Sequence, residues 1–264
     1  PSNREVNGDG TLDLFWQHET DGWIAVWHMD GTQMIEARIA TPGQVSDPEW
    51  RIVGSADFNG DGRPDLFWQH QRTRLMSVWY MDGATFIGAG ALSHNTVSDT
   101  NWEIRAIADL NGDAHPDLIW QHRTEGLVTA WLMDGVNLVA GRALTPDRVA
   151  DVDWKIAGTA DFNSDGHDDL LWRHQATGQI VVWYMNGTTF TAGAALSPGA
   201  VADMNWAIRT VGDLNDDGQP DLIWQHRTEG SLVAWMMNGV TLIEGVALTP
   251  GRTDDRNWRI AGPR

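Results

Sequence analysis

The sequence predicts an all-β fold, a five-bladed β-propeller, and three observations lead to this prediction. First, the motif "DFNGDGRPDLFWQH" and its variants begin at Glu5, Asp57, Asp109, Asp161 and Asp213, each 52 residues after the previous start. Second, three rows of Trp share this period. Third, no segment has useful helical periodicity, whereas repeats of four short strands and near 50 residues are typical of propeller blades.

Each repeat contains four predicted strands. Around the second motif these strands are "WRIVGSADF", "DLFWQH", "LMSVWYM" and "TFIGAGAL". The middle two carry consecutive apolar residues, which predicts that both of their faces are covered. The third strand ends at an Asp-Gly or Asn-Gly turn, a typical hairpin signal, and a polar linker leads from the fourth strand to the next repeat. The predicted repeats of this single domain, residues 1–264, are residues 5–56, 57–108, 109–160, 161–212 and 213–264.

The two ends of the chain predict how the ring closes. Residues 258–262 have the pattern of a first strand that no further strand follows, and the first repeat begins where a first strand should already have ended. Pairing of the C-terminal strand with the N-terminal blade would complete that blade and leave no open sheet edge. An open solenoid is the alternative, although no terminal repeat resembles a polar cap.

Composition and charge exclude several classes of protein. The chain has no Cys, so disulfides and thiol chemistry are excluded. Its formal charge of −18 argues against nucleic acid as a partner, because the phosphates would be repelled. No apolar run is long enough for a membrane span, and the N-terminus lacks a signal-peptide pattern. These observations by themselves predict a cytosolic protein, a mature protein or a domain excised from a longer protein.

The loop between the first and second strands carries side-chain oxygens at positions 1, 3, 5 and 9. Ca²⁺ takes six to eight oxygen ligands, position 7 can add its backbone carbonyl, and a Gly at position 6 permits the sharp turn. In the second repeat, positions 1, 3, 5, 7 and 9 hold Asp57, Asn59, Asp61, Arg63 and Asp65. This pattern predicts a calcium loop, and the alternative is an Asx-turn in which the same side chains bond their own backbone.

The same five positions recur in the other repeats. Glu5 replaces the first Asp in one copy, and Ala114 replaces the Gly in another, so whether these two loops hold metal stays open. The corresponding predicted ligands are Glu5, Asn7, Asp9, Thr11 and Asp13; Asp109, Asn111, Asp113, His115 and Asp117; Asp161, Asn163, Asp165, His167 and Asp169; and Asp213, Asn215, Asp217, Gln219 and Asp221.

This loop, followed by "DLLW" and later by "VWYMNG", resembles the FG-GAP or VCBS-type repeat. That repeat builds integrin α-chain propellers and many secreted bacterial proteins, and the resemblance covers essentially the whole chain. It implies calcium in the loops and an extracellular setting, and a periplasmic one would also supply enough calcium. The usual seven blades of that family do not carry over, because this chain has five repeats. The predicted architecture is similar to five-bladed tachylectin-type lectins, whose sugar-contact residues do not map onto this sequence.

The end of the propeller opposite the calcium loops is the predicted ligand-binding end. A Trp face packs on the apolar side of a sugar ring, while Asp, Gln and His bond its hydroxyls. The candidate residues are His18, His70, His122, His174, His226, Gln69, Gln121, Asp99, Trp102, Asp151 and Trp154. A structural interpretation stands beside this one: the Trp rows would pack between blades, the His row would bond a neighbouring linker, and the linker Asp would cap a turn.

The function we expect is a calcium-binding, multivalent, lectin-like protein whose partners are glycans or glycoproteins. The alternative is a protein-binding or adhesion module of a larger secreted protein. An enzyme is not expected, because a catalytic site needs a unique constellation and nearly all acids here are repeated. No nucleophile elbow, HExxH motif or phosphate loop is present. The sugar and the oligomeric state stay open.

Overall fold

The computed structural model describes residues 5–262, which form twenty β-strands and no helix. No segment of this range is therefore a helix that could cross a membrane. The strands are β1 Leu14–His18, β2 Trp23–Asp30, β3 Gln33–Gln44, β4 Trp50–Ala56, β5 Asp65–His70, β6 Met76–Asp82, β7 Thr85–Ala91, β8 Trp102–Ala108, β9 Asp117–His122, β10 Leu127–Asp134, β11 Asn137–Arg148, β12 Trp154–Ala160, β13 Asp169–His174, β14 Gln179–Asn186, β15 Thr189–Ala200, β16 Trp206–Gly212, β17 Asp221–His226, β18 Ser231–Asn238, β19 Thr241–Arg252 and β20 Trp258–Ile260.

Antiparallel pairing divides these strands into five sheets of four. The sheets are β20 with β1–β3, then β4–β7, β8–β11, β12–β15 and β16–β19. The second strand of every sheet is buried along its whole length, as its consecutive apolar residues predicted. The all-β propeller prediction is therefore confirmed.

The C-terminal strand closes the ring. β20 pairs antiparallel with β1, so that Ile260 lies opposite Trp16 and Trp258 lies opposite His18. The backbone N–H of Glu19 also donates to the Asn257 carbonyl at 2.8 Å. The first strand of the N-terminal blade thus comes from the other end of the chain, as predicted, and the open solenoid is wrong.

The first strands of all five blades surround a narrow central channel. Close approach of these strands explains why small residues occur in them: a Cβ on Gly54 would lie 2.7 Å from the Cδ1 atom of Ile107. Arg105 is buried in this region, and its Nη2 donates to the Ile156 carbonyl at 3.0 Å. The channel is therefore filled by protein groups along part of its length.

Five apolar clusters hold the blades together. One cluster combines Phe15 and Ile24 of the first blade with Leu66 and Trp68 of the second, all of them buried. Trp79 packs on Trp68 with ring centroids 4.9 Å apart. Burying a large aromatic side chain contributes about 2–3 kcal/mol of stability. The interpretation of the Trp rows as packing residues is thus confirmed for the second-strand row.

The second blade differs from the others in its outer strand. β7 has seven residues, whereas β3, β11, β15 and β19 each have twelve. The longer strands resume pairing beside the linker, as where Arg148 lies opposite Leu127. In the second blade this last stretch is missing, and the Met76 N–H instead donates to the Asn95 carbonyl at 2.9 Å.

Deletion of residues 258–264 should unfold the N-terminal blade, because β1 loses its partner and exposes an unpaired edge. We expect a clear fall in melting temperature and the appearance of aggregates, measured by circular dichroism and size-exclusion chromatography. The matched control is a circular permutant that joins Arg264 directly to Glu5, which continues the 52-residue period. It should melt like the parent protein, and a deletion variant as stable as the parent would contradict the closed ring.

Candidate functional site

The row of His residues ends the second strand of every blade and is buried there. Each imidazole accepts a backbone N–H on Nδ1 at 3.1 Å, from the turn that follows the strand. On the other side, each Nε2 lies 2.9–3.1 Å from a carboxylate oxygen of the preceding linker. The five pairs are His18–Asp255, His70–Asp47, His122–Asp99, His174–Asp151 and His226–Asp203.

These hydrogen bonds assign the tautomer and charge of each pair. Because Nδ1 accepts a backbone N–H, the ring proton sits on Nε2 and donates to the ionised Asp. The pKa of Asp47 is lowered first by the backbone N–H of Glu49 and then by the His70 hydrogen bond. For Asp151 the His174 bond is the largest cause of the lowered pKa. The pair therefore fastens each linker to its own blade, and the linker Asp also caps a turn.

The Gln residues that precede these His residues connect neighbouring blades. The Nε2 of Gln17 donates to the Trp50 carbonyl at 2.7 Å, and its Oε1 accepts the Ile52 N–H at 3.0 Å. Gln121 and Gln225 make the same two bonds to the next blade. In the fourth blade Arg173 takes this place and donates to the Trp206 carbonyl.

This placement corrects part of the predicted ligand-binding end. The five His side chains, Gln69 and Gln121 are buried, and both ring nitrogens of every His already have partners within the protein. A sugar hydroxyl could reach them only by breaking these bonds. The structural interpretation of the His row, and of the linker Asp as a turn cap, describes the observed contacts.

The other predicted residues at this end stay accessible. The carboxylates of Asp99 and Asp151 are 47% and 58% exposed, and Trp102 and Trp154 are half-buried beside them. Each Trp packs edge-on against the His of its own blade, with centroids 5.1 Å apart for Trp102 and His122. The end of the propeller that carries the blade-to-blade linkers, called the linker end below, thus presents five copies of a Trp side chain next to a partly exposed carboxylate.

The predicted calcium loops are closed by hydrogen bonds to their own backbone. Asp57 accepts the Gly60 N–H on Oδ1 and the Gly62 N–H on Oδ2, at 2.7 and 2.8 Å. Asn59 accepts the Asp61 N–H at 2.9 Å, and Asp61 accepts the N–H of residue 63 at 2.9 Å. These are Asx-turns, the alternative that the sequence left open.

Ala114 adopts the backbone conformation that Gly holds in the other loops. Its φ is 68°, against 85° for Gly62, and its N–H donates to Asp109 at 2.8 Å as the Gly62 N–H does to Asp57. A left-handed backbone costs a non-Gly residue about 1 kcal/mol. The loop geometry is therefore kept at this position in spite of the substitution.

The ninth loop position holds a buried Asp that ties the loop to the third strand. Asp65 accepts the Phe58 N–H on Oδ2 and the Met81 N–H on Oδ1, at 3.0 and 2.9 Å. Burial raises the pKa of Asp65 to about 6, and these two hydrogen bonds offset part of that rise. The same raised pKa, about 6, is found at Asp117, Asp169 and Asp221.

The carboxylate oxygens of the loops are occupied by hydrogen bonds from within the protein. Every side-chain oxygen of Asp57, Asp61 and Asp65 accepts a hydrogen bond from within the protein. Within residues 5–262, the one group of three His, Asp or Glu side chains whose ligand atoms lie within 4.8 Å of one another is Asp151, Asp153 and His174. Its His174 Nε2 is already bonded to Asp151. Calcium in the loops stays a prediction.

The side chain at the seventh loop position has contacts that sequence reasoning missed. Arg63 forms an ion pair with Asp82, and His115 lies 3.7 Å from Asp134. Both acids belong to the Asp-Gly turn that follows the third strand. The loops and these turns thus share one end of the propeller. The only sequence signal was the polar character of the residue at this position.

His70→Ala should lower the free energy of unfolding by about 2 kcal/mol, because it removes a buried hydrogen bond to a charged carboxylate. The measurement is denaturant unfolding followed by Trp fluorescence. His115→Ala is the matched control, since its side chain is 42% exposed, and it should change stability by less than about 0.5 kcal/mol. Equal effects of the two substitutions would contradict the structural role of the His row.

Comparison with known proteins supports the repeat architecture. The family model described as FG-GAP-like repeat matches residues 6–68, 57–120 and 161–224. No curated protein matches the sequence. The Tc holotoxin pore of Photorhabdus luminescens has 17% identity and a TM-score of 0.52, and the match covers 96% of this chain but 12% of that one.

Two further solved structures are more distant. The nidogen/laminin complex has 15% identity and a TM-score of 0.44, with 91% of this chain and 94% of that chain covered. Virginiamycin B lyase from Staphylococcus aureus has 11% identity and a TM-score of 0.44, with 92% and 68% covered. The repeated loop, the four-stranded sheets and the match over more than half of the residues lead to one conclusion: the chain belongs to the FG-GAP-like repeat family.

Proposed function

We propose that this propeller is a non-enzymatic recognition module that binds carbohydrate at its linker end. The observation that supports this proposal is the fivefold repetition of a half-buried Trp beside a carboxylate that is 47–58% exposed. An aromatic face and a hydrogen-bonding oxygen are the two groups that a sugar ring needs. Five copies on one ring would give a multivalent surface, in which weak single sites combine into useful avidity.

Calcium in the loops at the opposite end is a second part of the proposal. The net charge of −18 and the repeated loop acids support it, since a bound cation would relieve their mutual repulsion. Cation binding would require some loop oxygens to exchange backbone N–H partners for the metal. Because such modest sites need more than micromolar calcium, this part also implies an extracellular or periplasmic location.

A protein-binding or adhesion function is the second candidate, and a different surface supports it. Ile35, Ile87, Val139 and Ile243 occupy the same position of the outer strand in four repeats and are 58–67% exposed. These apolar side chains lie exposed on the outer strands of the blades, where another chain could dock. A folded protein that binds no glycan would favour this candidate.

A glycan array should show saturable binding by the folded wild-type protein. Replacing both Trp102 and Trp154 by Ala should weaken binding roughly tenfold, about 1.4 kcal/mol, because two of the aromatic faces are lost. Ile87→Ser, on the outer edge, is the control that should bind like wild type. No signal from a sample with a native melting curve would contradict the carbohydrate proposal, and turnover of chromogenic glycosides would contradict the non-enzymatic one.

Calcium should raise the melting temperature relative to a buffer with chelator. Each site filled at 100 times its dissociation constant adds about 2.7 kcal/mol, and 1 kcal/mol is worth roughly 2–4 °C in a chain of this size. Asp61→Ala combined with Asp165→Ala and Asp217→Ala should remove most of the shift. Glu244→Ala, an exposed acid on an outer strand, is the matched control. Identical melting with calcium and with chelator would overturn the calcium proposal.

A further inference from the structure

The second blade contains a cavity of about 250 Å³ that is lined by aromatic side chains. Its lining residues are Val45, Trp50, Trp68, Ser77 and Trp79. Trp50, Trp68 and Trp79 come from three neighbouring strands of the blade, and Val45 comes from the linker that enters it. Two of the indoles, Trp68 and Trp79, are tilted by 50° to each other at a centroid distance of 4.9 Å.

The residue at position 77 of the second blade differs from its equivalents in the other blades. Ser77 lies opposite Trp68 in the β5–β6 pairing. The corresponding residues, which lie opposite the second-strand Trp of the other blades, are Ala25, Thr129, Val181 and Val233. The side chain at this position is thus larger than serine in three blades and smaller in the first blade.

The Ser77 hydroxyl is the poorly satisfied polar group at the cavity. It has one long contact, 3.4 Å to the Gly90 carbonyl, whereas the corresponding Thr129 hydroxyl donates to the Arg142 carbonyl at 2.8 Å. An unsatisfied polar group costs about 1–3 kcal/mol when it is buried, which a ligand oxygen bonded to this hydroxyl would recover. The Nε1 atoms of all five second-strand Trp residues are buried and lack an acceptor among the described residues, so that of Trp68 does not distinguish this blade.

From this chemistry we infer that the cavity beside Ser77 is a binding site for a single neutral pyranose ring. No charged side chain lines the cavity, so an ionic ligand would lack a partner. Its volume lies just below the roughly 300–1,000 Å³ of pockets for drug-sized molecules, which suits one ring. The indole faces suit the apolar side of that ring, while a purely apolar ligand would leave the Ser77 hydroxyl without a short hydrogen bond.

This inference rests on the proposed carbohydrate function and gives it a defined site. The half-buried Trp50 belongs both to the linker-end row and to the cavity lining, so the two surfaces are continuous. The sugar would therefore enter from the linker end and lie against Trp79 rather than against the buried His row. Because this position and the length of the outer strand differ between blades, the five blades are not expected to bind equally.

The test is a titration of the ¹⁵N-labelled protein with methyl glycosides of glucose, galactose, mannose, fucose and N-acetylglucosamine, and with benzyl alcohol as an apolar probe. The indole N–H signals of Trp68 and Trp79, assigned through Phe substitutions, report on the cavity. We expect at least one glycoside to shift both signals to saturation. A shift with benzyl alcohol alone would overturn the assignment of a sugar.

Substitutions at position 77 locate the site. Ser77→Val should weaken binding at least roughly tenfold, about 1.4 kcal/mol, because its two methyl groups would occupy part of the cavity. Ser77→Ala keeps the space and loses only the hydroxyl, so its loss should be smaller. Thr129→Val, the same change in the third blade, is the matched control and should leave the Trp68 response unchanged. All variants use residues that the repeat itself tolerates at this position, or an isostere of one.

The outcomes separate this inference from the proposed function. Glycan binding on the array with unmoved Trp68 and Trp79 signals, or with undiminished affinity in Ser77→Val, would overturn the cavity site and leave the carbohydrate function standing. No binding on the array and no shift with any glycoside would overturn both. A shift that Ser77→Val abolishes while Thr129→Val retains it would support the site.

Discussion

Buried side chains on the second strands tie blades to their neighbours, and the arrangement of both ends of the ring depends on them. Amides make this link at Gln17, Gln121 and Gln225, and a guanidinium makes it at Arg173. Gln17 spans from the second strand of one blade to the backbone of the first strand of the next, where it bonds Trp50 and Ile52. The apolar clusters between blades have no directionality, whereas this pair of hydrogen bonds fixes the register of neighbouring blades. The linker, its Asp and its Trp are then held by the His–Asp bond at a constant height around the ring.

The acidic loops illustrate how one set of residues serves two kinds of chemistry. Asn59 and Asp61 close Asx-turns, Asp57 accepts the Gly62 N–H across the loop, and Asp65 lies in the interior with both oxygens bonded to backbone N–H groups. The pKa of Asp65 is about 6 because burial disfavours its charge. A bound hard cation would favour the ionised form of these Asp side chains. Backbone hydrogen bonding and metal binding would therefore compete for the same carboxylate oxygens.

The five blades share most of their polar side chains and differ at a few other positions. The His, Gln and Asp rows repeat because every blade needs the same internal bonds, and this structural demand accounts for most of the polar repetition. The position of Ser77, by contrast, holds Ala, Ser, Thr, Val and Val in the five successive blades, and the outer strand is short in one blade. A site that uses these variable positions can differ in affinity from blade to blade without disturbing the ring.

By itself the sequence determined the strands, the 52-residue period and the closing role of residues 258–260, because alternating and consecutive apolar residues, turn signals and register are local properties. The sequence also left open whether the acidic loops are Asx-turns or calcium loops. Only the tertiary structure decided that His70 is buried against Asp47, that Arg63 reaches Asp82, and that a cavity lies beside Ser77. The physical reason is that hydrogen-bond satisfaction and cavity volume depend on which groups from distant parts of the chain meet. A repeated residue type is the same in the sequence whether its side chain faces a ligand or a neighbouring blade.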